Sequence, residues 1–60
     1  MTVEDIYRVL EDDEEVIIGK NSPYGLIIKH VGSLRDCNKY YMSSYVKSLR
    51  GWSHGLIIII

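Results

Sequence analysis

The stretch Gly55-Leu56-Ile57-Ile58-Ile59-Ile60 contains no polar side chain. β-Branched residues favour the extended pleat, in which successive side chains alternate between the two faces of a sheet. Leu56, Ile58 and Ile60 are therefore expected to point one way and Ile57 and Ile59 the other. Both faces of this strand are apolar, so both need cover; left open, such a strand is a hazard for edge pairing and aggregation.

Sixty residues make a single domain, residues 1–60, with one small core. Chains of this size commonly add a disulfide, a metal or a partner subunit. Cys37 is the only cysteine, which excludes an intrachain disulfide and leaves too few ligands for a structural zinc. Self-association remains, and Leu56, Ile57 and Ile59 are the expected interface of a homo-oligomer. The start, Met1-Thr2-Val3-Glu4-Asp5, lacks the basic and apolar regions of a signal peptide, and the apolar run falls short of the roughly 20 residues that span a bilayer. The expected location is cytoplasmic, without membrane contact.

Working back along the chain, Thr2 and Asp5 have capping-box spacing, and Val3, Ile6 and Leu10 form an apolar stripe, predicting a helix over about 3–12. Val16-Ile17-Ile18 and Leu26-Ile27-Ile28 predict two strands, Glu14 to Lys20 and Leu26 to His30, joined by the turn-rich 19–25 in a loop of about five residues. Ser33 and Asp36 repeat the capping spacing before a short helix over 37–42. Tyr45 to Leu49 predicts a third strand, and 51–55 the turn into the last. The expected fold is α+β: an N-terminal helix packed on a four-stranded, mainly antiparallel sheet, with a short middle helix. One helix covers one sheet face; the middle segment, with Arg35, Asp36, Asn38 and Lys39, is too polar to cover the other well, which again argues for a second copy.

Net charge is −1, but unevenly spread. Through residue 28, seven acids face Arg8 and Lys20; beyond it Lys29, Arg35, Lys39, Lys47 and Arg50 face Asp36 alone. The acidic run Asp12-Asp13-Glu14-Glu15 lacks the spacing of a calcium loop, so no metal site is expected. Gly19-Lys20-Asn21-Ser22 lacks the upstream glycine of a phosphate loop. Cys37 with His30 or His54 has no orienting acid at a telling spacing, and no catalytic residue or cofactor is assigned. No basic helix is evident, so double-stranded DNA is not an expected partner.

From Arg35 to His54 the pattern changes. Arg35, Lys39, Lys47 and Arg50 are interleaved with Tyr40, Tyr41, Tyr45 and Trp52, the mixture from which nucleotide sites are made, since cations neutralise phosphate and aromatic faces stack on bases. The expected ligand residues are Arg35, Lys39 and Arg50 for phosphates, Tyr40, Tyr41 or Trp52 for a base, with His54 beside them. The bland alternative is that these aromatics are packing or protein-interface residues.

The order of elements, with Met1-Thr2-Val3-Glu4-Asp5-Ile6-Tyr7 leading to Leu10-Glu11-Asp12-Asp13-Glu14-Glu15-Val16 and then a terminal Gly-Leu-Ile-Ile-Ile-Ile, resembles very small accessory proteins of phages and prophages, mostly of unassigned function. The resemblance covers nearly the whole length but carries over no functional residue. It implies a non-structural accessory protein of the host-cell cytoplasm, non-catalytic by the residue reading above, and a frequent role of such proteins is to counter host defence. Two routes are implied: sequestering an anionic, nucleotide-like signal molecule in an oligomer, or acting as a protein–protein inhibitor or adaptor docked on a host defence protein.

Overall fold

The computed structural model describes residues 1–10, 14–53 and 55–60. Helix α1 spans Val3–Tyr7, strand β1 Glu15–Ser22 and strand β2 Gly25–Gly32. A 3₁₀ turn at Leu34–Asp36 leads to helix α2 at Lys39–Met42, followed by β3 at Ser48–Trp52 and β4 at Gly55–Ile59. The strand order is β2-β1-β4-β3. Two antiparallel hairpins, β1–β2 and β3–β4, join along a parallel β1–β4 seam. The expected α+β class and mainly antiparallel sheet are therefore observed, with the isoleucine strand in the interior. That position gives the strand neighbours on both edges, and it buries Ile58 on the helix face and Ile59 on the other.

The capping box forms as the spacing predicts. The Asp5 backbone N–H donates to Thr2 Oγ1 and the Thr2 backbone N–H donates to Asp5 Oδ2 at 2.9 Å. The Thr2 backbone N–H and, at 3.2 Å, the Thr2 hydroxyl both donate to the Asp5 carboxylate, stabilising its charged form and holding the Asp5 pKa below the ordinary aspartate value. The helix is shorter than the expected 3–12. After Tyr7 the backbone tightens, with Val9 N–H donating to Ile6 and Leu10 N–H to Tyr7. Arg8 caps the helix, but acids follow it in sequence, unfavourable near the negative end of a helix dipole. The remainder of the expected helix, residues 11 and 12, lies outside the described residues.

β1 continues through Ser22, and only Pro23 and Tyr24 separate it from β2, in place of a five-residue loop. Pro23 pre-sets its own φ, Ser22 Oγ donates to the Gly25 carbonyl at 2.7 Å, and Gly25 takes φ +121°, open to glycine without strain. The third strand lies three residues later than expected. Tyr45 instead bridges Thr2, and Val46 N–H donates to the Met1 carbonyl at 2.8 Å, so the N-terminus takes the pairing expected of the sheet.

The register assigns the faces. Val16, Ile18, Leu56, Ile58 and Ile60 belong to the face carrying both helices, where Val3, Ile6 and Leu34 complete the buried core. Ile17 pairs with Val31 and Ile57, and Gly19 with Ile28 and Ile59, on the outer face. Gly19 leaves room there for Leu26, whose Cδ1 would lie 2.8 Å from a Cβ at that position. Because α1, the 3₁₀ turn and α2 all supply residues to the same core, no helix among the described residues covers the outer face. Of the expected interface residues, Leu56 packs on the helix side, Ile59 is buried and Ile57 is half-buried.

Candidate anion-binding cleft

A cleft of about 360 Å³ opens where the ends of β1 and β4 meet α2. Three lysines, Lys20, Lys29 and Lys47, and three tyrosines, Tyr40, Tyr41 and Tyr45, line it, and Ser44 and Ile60 complete the lining. No acidic side chain is among these residues.

Each side chain has a local reason to be there. Lys20 lies two residues beyond Ile18 in the same strand and so shares its helix-side face. Lys29 sits where the β1–β2 register shifts: Ile18 pairs with His30 and Gly19 with Ile28, leaving Lys29 unpaired in the ladder, a bulge that re-aims a side chain. The Lys47 backbone N–H donates to the Ile59 carbonyl at 2.7 Å, fixing it beside the end of β4. Asn38 caps α2 by accepting from Tyr40 N–H at 2.8 Å, and the hydroxyls of Ser43 and Ser44 donate to the Tyr40 carbonyl. The rings of Tyr40 and Tyr41 stand edge to face, centroids 5.6 Å apart at 79°. Tyr41 packs on the core, while Tyr40 and Tyr45 are 75% and 77% exposed, leaving most of their surface free to receive a ligand.

Of the residues expected from sequence, only Tyr40 and Tyr41 line this cleft. Arg35 and Lys39 line a second one, about 510 Å³, with Glu4, Tyr7, Leu34, Cys37, Met42 and Ser43. Helical geometry makes the separation: Lys39, Met42 and Ser43 follow i, i+3, i+4 along one side of α2, whereas Tyr40, Tyr41 and Ser44 follow another. Arg50 and Trp52 sit on the outer sheet face, in register with Ile57 and Gly55. His54 lies outside the described residues. Sequence reasoning passed over Lys20 and Lys29 and noted Lys47 and Tyr45 without assigning them; the parity of Lys20 with Ile18 was the available signal.

The second cleft is less suited to an anion, because Glu4 shares it and bonds Arg8 at 3.9 Å. Cys37 there is half-buried, and desolvation raises its thiol pKa, opposing the thiolate that nucleophilic chemistry needs. His30 Nε2 lies 3.0 Å from the Ser33 carbonyl. Among the described residues no group of three His, Cys, Asp or Glu is placed to hold a metal ion, and no helix is long and apolar enough to cross a membrane.

Compared with protein-family models, curated proteins and solved structures, the chain matches none.

Proposed function

We propose that the protein is a non-catalytic binding protein that captures an anionic, nucleotide-like small molecule in the cleft between α2 and the sheet. The observation that carries the reading is the convergence of Lys20, Lys29 and Lys47 with Tyr40, Tyr41 and Tyr45 without an acidic side chain in the lining. Three ammonium groups suit a ligand with several phosphate charges, and the exposed ring of Tyr40 or Tyr45 offers a stacking surface for a base. The volume lies at the low end of the roughly 300–1,000 Å³ typical of small-molecule sites. It accommodates a mononucleotide more readily than a long chain.

The same reading makes the protein a homo-oligomer, supported by four large apolar residues of β2 left 43–58% exposed. In the setting implied by the resemblance to phage accessory proteins, capture of a host nucleotide signal would blunt a defence response. That exposed surface also favours a second reading, direct docking on a host defence protein.

Thermal denaturation at low salt with a panel of linear and cyclic nucleotides tests the proposal. Ligand at 100 times its dissociation constant stabilises by about 2.7 kcal/mol, a rise of about 10–20 °C in a domain this size. Lys20→Glu with Lys47→Glu should abolish the rise, and Arg50→Glu, on the outer face, should leave it intact. No rise with any nucleotide refutes the cleft reading; a rise that disappears with Arg50→Glu and persists in the double lysine variant puts the site elsewhere.

A further inference from the structure

Strand β2 ends the sheet, and among the described residues no strand lies along its outer edge. Its apolar side chains are bare on both faces at once. Ile27, in register with Lys20, is 47% exposed on the helix side; Leu26, Ile28 and Val31 are 43%, 49% and 58% exposed on the outer side. Outer-face residues of the interior strands differ: Ile59 is only 4% exposed, and Ile17 and Ile57 are half-buried. The exposure belongs to the edge rather than to the face. A layer stacked on the outer face would leave Ile27 uncovered, whereas a strand laid beside β2 covers both sides together. The opposite edge, β3, is better protected, being five residues long with Arg50 at its centre.

We propose that β2 pairs edge to edge with β2 of a second copy, antiparallel about a two-fold axis, to form one continuous eight-stranded sheet. This deepens the homo-oligomer part of the reading above. The occupant follows from what the edge requires: a strand apolar on both faces opposite Leu26-Ile27-Ile28, with no like charge opposite Lys29. β2 satisfies both conditions, and a two-fold interface is self-complementary by construction.

Register is then restricted. A two-fold axis perpendicular to the sheet keeps the helix sides together, so each residue must face one of its own parity. Centring on Leu26 sets Ile28 against Tyr24 of the turn, and centring on Ile28 sets Ile27 against Lys29. Centring on Ile27 sets Ile27 on itself, Leu26 on Ile28 and Lys29 on Gly25, which has no side chain. Tyr24, 100% exposed, then comes opposite His30. Only this register keeps the three apolar residues among themselves and the two lysines apart. The bulge at Lys29 bounds the apolar half of the strand, so the pairing spans residues 25–29. Because Lys20 and Lys29 adjoin Ile27, the two basic clefts flank the axis on one side of the sheet.

Cross-linking tests the register directly. In antiparallel pairing, residues opposite each other have Cα atoms about 4.5–5.5 Å apart, inside the roughly 4.4–6.8 Å range of a disulfide. In a Cys37→Ser background, which removes the only native thiol, Ile27→Cys should oxidise to a covalent dimer. Leu49→Cys, 43% exposed on the opposite edge, should remain monomeric on a denaturing gel. Sedimentation of the wild-type protein should give a dimer at high micromolar concentration. A wild-type monomer, failure of Ile27→Cys to cross-link, or equal cross-linking at both positions overturns the proposal. The nucleotide experiment is independent: a dimer indifferent to nucleotides refutes only the cleft, and a monomer that responds to them refutes only this assembly.

Discussion

Adjacent isoleucines in β4 should differ sharply in what they contribute, and the contrast between Ile58→Ala and Ile57→Ala tests the assignment of faces. Ile58 is 0% exposed and belongs to the core with Val3, Ile6, Val16, Ile18 and Leu34. Truncation removes three buried carbons at about 0.8 kcal/mol each. A residual void of about 70 Å³, if the neighbours do not collapse, adds about 1.7 kcal/mol, for a loss of about 4 kcal/mol. Ile57 lies on the outer face and is partly exposed; it loses most of the transfer contribution but opens no enclosed void, about 2 kcal/mol. A 60-residue domain has about 3–9 kcal/mol in all, so Ile58→Ala should stand near the limit of folding and Ile57→Ala well within it. Urea denaturation followed by circular dichroism measures both. With a slope of about 1 kcal/mol/M, the midpoint should fall by about 4 M for Ile58→Ala, or the variant should be unfolded in water, against about 2 M for Ile57→Ala. Equal losses, or a larger loss at Ile57, would refute the face assignment. The Ile57 loss should also be insensitive to protein concentration, because the proposed assembly edge is on β2.

Two further substitutions test local geometry. Gly55→Ala should cost about 3 kcal/mol or more by urea denaturation, since a Cβ there would fall on the Glu15 backbone carbonyl, which the parallel ladder holds opposite Gly55; a loss within experimental error would mean that the β1–β4 register is wrong. Asp5, whose pKa is lowered by the bonds from Thr2, should contribute stability that is fully present above its unfolded pKa of about 3.9 and lost as pH falls through the lower folded value. Asp5→Asn should therefore flatten the acid limb of a plot of urea midpoint against pH, and an unchanged slope would count against the cap.

Much of the fold is set locally, and those parts were legible. The Thr2–Asp5 box and the alternation of Leu56, Ile57 and Ile58 each depend on residues a few positions apart, so spacing is enough to read them; Ser33, expected to cap a helix over 37–42, caps the 3₁₀ turn instead, and α2 starts two residues later with Asn38 as its cap. Placement of β3 is different. Tyr45 and Val46 have the composition of a sheet strand, but Met1 and Thr2 occupy their backbone groups, a competition between residues more than forty positions apart that no local pattern registers. The candidate site fails to read linearly for a geometric reason. A run of alternating cations and aromatics reads as one surface only if the chain is extended with a constant parity. Here α2 turns about 100° per residue and separates Lys39 from Tyr40, while β3 places Arg50 and Trp52 together on the sheet face away from the helices. The cations that do meet the tyrosines come from three different segments: a strand whose length was underestimated, a bulge visible only once both strands are paired, and the loop before β3. A basic cleft assembled in this way depends on the β1–β2 register. A substitution that removes the bulge at Lys29 would therefore displace a ligand-facing charge without touching the cleft lining contributed by α2.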